Sequence, residues 1–105
     1  MITIDVTTQI MQLDGKTAAT GEDNKTPLTV RSILELALLA RQPRETLDGP
    51  EQLNRFILAT KIRQNDAVEL ESDQVVKLKT LVAAICGPLV TGQIHLLLEG
   101  KDMPW

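Results

Sequence analysis

The chain has 105 residues, 43% of them hydrophobic and 24% charged, with eleven basic against fourteen acidic side chains for a net charge of −3. That length holds one core and excludes linked catalytic domains, and the composition belongs to a folding chain rather than to a disordered or fibrous one. A pI of about 5.0 removes any overall attraction to nucleic acid, while one Phe, one Trp and no Tyr leave an aliphatic core with few stacking platforms.

Ile2, Ile4 and Val6 alternate with Thr3, Asp5 and Thr7, the period of a strand buried on one face. Asp14-Gly15 marks a turn, because glycine accepts positive φ, and an arm over 11–13 with a return over 16–19 completes a short hairpin. Residues 21–25 are polar without periodicity and read as a loop. Thr29 then caps a helix over about 30 to 41, in which Val30, Ile33, Leu34, Ala37 and Leu38 recur at helical spacing until Pro43 stops it. That helix is apolar around most of its girth, so it requires contact on more than one side, as a central core helix or as a partner surface.

Gly49-Pro50-Glu51 starts a second helix, about 50 to 64, because proline at the first helical position forfeits no hydrogen bond and glutamate suits the positive end of the dipole. Leu53, Phe56, Ile57 and Thr60 trace its apolar stripe with Leu58 and Ile62 beside it, and Glu51 and Arg55 stand four apart as a surface ion pair. Residues 67–70 read as a short extended segment, after which Ser72 caps a third helix whose buried stripe is Val75, Leu78, Leu81, Val82 and Ile85. Gly87-Pro88 breaks that helix and opens a fourth, about 88 to 99. Its apolar face is Leu89, Val90, Ile94, Leu97 and Leu98, and Gly100 is a left-handed stop. The expectation is a single α+β domain over 1–105, mainly α, with about four helices around an aliphatic core and a short N-terminal strand or β-hairpin. Within it, 1–28 is β element and loop, 29–100 is helical and 101–105 is a tail.

The stretch between Lys79 and Glu99 holds no formal charge and nears the roughly 20 residues that cross a bilayer. Gly87, Pro88, Thr91, Gly92, Gln93 and His95 interrupt it, and two buried helices fit it better. The lone Cys86 excludes an internal disulfide framework and suits a reducing compartment, and the first residues do not resemble a secretory signal. Cys86 and His95 lie across the predicted break without an orienting third group, and one Cys with one His cannot build a structural zinc site. No glycine-rich phosphate cradle occurs. The segment that would be the recognition helix of a helix-turn-helix, 88–98, contains no Lys or Arg. No catalytic residue, cofactor or metal is therefore expected, and neither nucleic acid nor membrane is an expected partner.

A further pattern runs through the chain: Leu13-Asp14-Gly15-Lys16, the leucine-rich helix, Gly49-Pro50-Glu51-Gln52-Leu53-Asn54-Arg55-Phe56, Val68-Glu69-Leu70 and Gly87-Pro88-Leu89-Val90-Thr91-Gly92-Gln93. This order resembles small uncharacterised proteins encoded by tailed bacteriophages and prophages. The resemblance covers most of the chain, implies a phage-related setting in the host cytoplasm or the virion, and transfers no catalytic residue. It leads to the expectation of a non-enzymatic protein–protein interaction protein, in virion assembly or as a structural component. The alternative is a phage-encoded inhibitor or regulator of a host protein or nucleic-acid process. A protein partner and self-association, most simply as a dimer, are expected, because so short a chain has few elements with which to cover an apolar helix. Leu36, Leu39, Leu96 and Met103 fall beside or outside the assigned stripes and are the candidate interaction surface.

Overall fold

The computed structural model describes residues 1–21, 25–40 and 46–105. The elements run β1 (Ile2–Asp5), α1 (Val30–Leu39), α2 (Gly49–Gln64), β2 (Ala67–Leu70), α3 (Ser72–Ile85) and α4 (Pro88–Leu98). This is the expected α+β, mainly helical architecture. The extended segment at 67–70 supplies the partner of the first strand: β1 and β2 pair antiparallel, with Ile2 opposite Leu70 and Ile4 opposite Val68. Alternation then does what its period dictates. Ile4, Val6, Val68 and Leu70 are buried while Thr3, Asp5 and Thr7 face outward.

Between β1 and α1 the chain makes an excursion that closes on itself. Ile10 N donates to Leu28 O at 2.9 Å, Leu28 N to Ala19 O at 2.8 Å, and Ala19 N to Ile10 O at 2.8 Å. Three backbone segments, at nine-residue spacing, thus form a closed ring of hydrogen bonds. The expected hairpin is its first arm, with a bridge between Met11 and Ala18, Gln12 N donating to Thr17 O, and Gly15 at φ 69 in the turn. A second arm repeats it nine residues on, with a bridge between Thr20 and Pro27 and Gly21 N donating to Thr26 O. Of the loop expected over 21–25, residues 22–24 lie outside the described residues, and its two flanks belong to this second arm rather than to irregular chain. The excursion ends where it began, with Gln9 bridged to Thr29.

α1 starts at Thr29 as expected: Thr29 Oγ1 accepts from Ser32 N and Ser32 Oγ accepts from Thr29 N, a reciprocal cap worth about 1 kcal/mol. Val30 N and Arg31 N donate to Thr8 O and Val6 O, so the excursion also occupies the helix's otherwise unpaired donors. The helix closes at Leu39, short of the expected 41, because Ala40 turns extended while its N–H still bonds Leu36 O. Arg41 and Pro43 lie outside the described residues. Val30, Ile33, Leu34, Ala37 and Leu38 are buried, and α1 packs on both α2 and α3, the central position its apolar girth requires.

In α2 the expected stripe is wrong. Leu53, Phe56 and Ile57 are exposed, and Arg55, Leu58, Ala59 and Ile62 face the core. Both sets have helical spacing; the second prevails because Ala59 leaves room at the interface and the aliphatic stem of Arg55 serves as apolar surface. The Glu51–Arg55 pair is accordingly no surface trim: Arg55 Nε donates to Glu51 Oε1 at 3.1 Å from a buried side chain, and Lys77 of α3 lies 3.0 Å from the same oxygen. In α3 the cap is Glu71, one residue before the expected Ser72, with Glu71 N donating to Gln74 Oε1 at 2.8 Å. Leu78, Leu81 and Val82 are buried and Val75 and Ile85 flank them, as expected. Cys86 and Gly87 are extended, Pro88 opens α4, and Gly100 at φ 71 follows its end. Among the described residues no helix is long and apolar enough to cross a membrane.

Candidate interaction surface

Leu36 and Leu39 stand on the outer face of α1, 56% and 62% exposed. Leu96 and Met103 are half-buried on α4 and in the tail. The four candidates thus divide between α1, which packs on α2 and α3, and the α4 end of the molecule. Two residues outside that set are exposed on the neighbouring helix. Phe56 and Leu53 of α2 are 61% and 56% exposed, and Phe56 lines with Leu39 a hollow of about 230 Å3 whose floor and walls include Glu35, Ala59, Thr60 and Arg63.

α1 and α2 run antiparallel, because the first turn of α1 meets the last turn of α2. Arg31 fixes this register: its Nε donates to Ile62 O at 3.1 Å, and its Nη2 donates to Asn65 O at 3.0 Å and to the Asp66 carboxylate at 2.7 Å. These are carbonyls a helix end leaves without partners. One turn along, Arg63 Nη2 donates to Glu35 Oε2 at 2.6 Å, from a guanidinium that is 70% exposed to a carboxylate that is 13% exposed. The second oxygen, Glu35 Oε1, is buried and has no hydrogen-bond partner among the described residues.

Two further carboxylates tie helices together. Hydrogen bonding from Lys77, with Arg55 adding to it, draws the Glu51 carboxyl below its ordinary value, and Lys79 with Lys101 does the same for Glu99. Lys79 to Glu99, at 2.9 Å, ties α3 to the end of α4. His95 and Cys86 do not converge on each other: His95 Nε2 lies 3.1 Å from Lys79 O, about 10 Å along the α3 axis from Cys86. Burial pushes the Cys86 thiol up, away from the reactive thiolate. No cluster of His, Cys, Asp and Glu fit to hold a metal ion occurs among the described residues.

At the other end of the molecule, Gln93 of α4 is buried and serves Met11 as a strand neighbour would. Its Oε1 accepts from Met11 N at 2.8 Å and its Nε2 donates to Met11 O at 2.7 Å. Trp105 covers the same excursion at Gly15, where a Cβ would collide with the indole ring. Compared with models of protein families, with curated proteins and with solved structures, the chain gives no significant match to any of them. Sequence reasoning places Phe56 and Leu53 on the inward stripe of α2 and passes over Glu35. The available signal was the second apolar spacing on α2, 58/59/62, which frees 53/56 to face outward, with Arg55 joining it through its aliphatic stem.

Proposed function

We propose that this chain is a non-enzymatic protein–protein interaction protein of phage-related origin, acting in virion assembly or within the particle. The observation that carries the interaction role is the outward side of the α1–α2 pair, where Leu36, Leu39, Leu53 and Phe56 are each more than half exposed. Large apolar side chains scattered singly are ordinary; four on two neighbouring helices, two of them, Leu39 and Phe56, lining one hollow, support a binding surface. The phage setting rests on the resemblance of the segments quoted above. Affinity capture from infected cells tests both parts, using the wild-type chain beside a Leu39→Asp, Phe56→Ser double variant whose circular dichroism matches it. The wild type should retain a head or tail component that the variant loses. Equal recovery by the two chains would remove α1 and α2 from the interaction, and recovery of none by either would remove the assembly role.

A further inference from the structure

We infer that the outer edge of β1 pairs antiparallel with the same edge of a second copy, so that two two-stranded sheets join into one of four strands. This edge is separate from the α1–α2 face, and the inference does not rest on the role proposed for that face. Val6 N donates to Asp66 O in the register that pairs Ile4 with Val68, so the even-numbered residues of β1 turn their peptide groups toward β2. Those of Met1, Thr3 and Asp5 point the other way, where the sheet has no further strand among the described residues. Two parts of the sheet's rim are closed. On the outer edge of β2, Lys61 Nζ donates to Glu69 O at 2.6 Å. On that of β1, Thr8 donates to Asp5 O through its N–H, at 3.3 Å, and its hydroxyl, at 2.8 Å. Thr3 has no such guard. It is exposed, and among the described residues its N–H and carbonyl have no hydrogen-bond partner, nor do Met1 O and Asp5 N. An open edge without lysine, proline or bulge is a template for another strand, and this one complements itself. About a two-fold axis at Thr3, each Thr3 N–H meets the other copy's Thr3 carbonyl and each Asp5 N–H meets the other copy's Met1 carbonyl, four bonds that use all the open groups named. The same register sets Ile2 beside Ile4 on the core face and Thr3 beside Thr3 on the outer face, and it opposes Asp5 to Met1, so that no charge faces its like.

Amide hydrogen exchange over a concentration series reads the edge directly. In dilute solution Thr3 and Asp5 should exchange far faster than Ile4, whose N–H faces β2. At high micromolar concentration they should slow toward it, while sedimentation equilibrium records a rise from 11.6 kDa toward twice that value. Thr3→Pro removes two of the four bonds and should weaken association by at least about tenfold. Thr3→Cys in a Cys86→Ser background gives a second reading that needs no proline in the strand. Paired Thr3 positions stand about 5.5 Å apart between Cα atoms, within the reach of a disulfide, so mild oxidation should link the copies. Glu69→Cys in the same background, exposed on the neighbouring strand, should not link. A wild-type chain that stays at 11.6 kDa at high micromolar concentration overturns the proposal. So does a dimer whose Thr3 and Asp5 amides keep their dilute exchange rates, and so does equal cross-linking at Thr3→Cys and Glu69→Cys. The Leu39→Asp, Phe56→Ser double variant should dimerise as wild type does. Loss of its dimerisation would move the interface to α1 and α2 and overturn the edge pairing, whereas a monomeric wild type that still captures a phage component would leave the interaction role standing without it.

Discussion

Gln93 offers Met11 both halves of a peptide group, an acceptor for its N–H and a donor for its carbonyl, from the side of a helix. A β-edge normally leaves such groups to water or to another strand; here the buried Gln93 side chain takes both. Gln93→Leu keeps the volume and removes the pairing, so it should destabilise the domain by about 1–3 kcal/mol, read from urea unfolding. Gln93→Glu, which retains the acceptor but loses the donor, should also destabilise. Unfolding midpoints equal to wild type for both variants would show that Met11 finds other partners. In the sequence Gln93 stands only as a polar interruption of an apolar run; its value depends on a segment 82 residues away, and no local pattern signals that.

At the scale of elements, the parts that were legible are those whose cause is local. Thr29 before Val30, Pro50 at a helix start and Gly100 after one each act within a single turn, and each is where its residue type predicts. The inward face of α2 was not legible, because its two apolar spacings differ only in what α1 and α3 accept. The second arm of the excursion was half legible. Asp14-Gly15-Lys16-Thr17 is echoed by Asp23-Asn24-Lys25-Thr26, a sequence repeat that matches the repeated bridges, but the ring through Ile10, Ala19 and Leu28 exists only when all three segments meet. Gly15 is where this element is most vulnerable to mutation. Its φ of 69 disfavours any side chain, and Trp105 occupies the space a Cβ needs. Gly15→Ala should cost about 1–2 kcal/mol from the backbone alone and should shift the emission of the only tryptophan to the red as the ring is displaced. An unchanged spectrum would mean that Trp105 does not rest on the turn in solution.

Across the whole molecule, carboxylates join the helices into one body: Glu51 links α2 to α3 through Lys77, and Glu99 links α4 to α3 through Lys79. Both carboxyls are drawn below their ordinary range by those lysines. A group whose value falls on folding binds fewer protons in the native state, so its contribution is complete above the unfolded value of about 4.3 and is lost as the pH falls through the lowered one. The melting temperature should therefore hold from neutrality to about pH 5 and decline below about pH 4. Lys77→Met should reduce the neutral-pH value while making the acid decline shallower. An identical pH profile for that variant would show that Glu51 does not contribute through Lys77. Bonds of this kind, like the one between Glu35 and Arg63, join residues far apart in the chain, which is why composition alone reads them as scattered surface charge.

β1 and β2 are neighbours in space but are made far apart in time. At about 5–20 residues per second, a ribosome delivers Ile4 roughly 3–13 s before Val68, its partner across the sheet. Through that interval Ile2, Ile4 and Val6 have no ladder to enter, and the Thr and Asp residues between them are what keep the nascent strand in water. The strand cannot mature at its own pace. Translation of the second helix sets the moment at which the first segment of the chain can find its place.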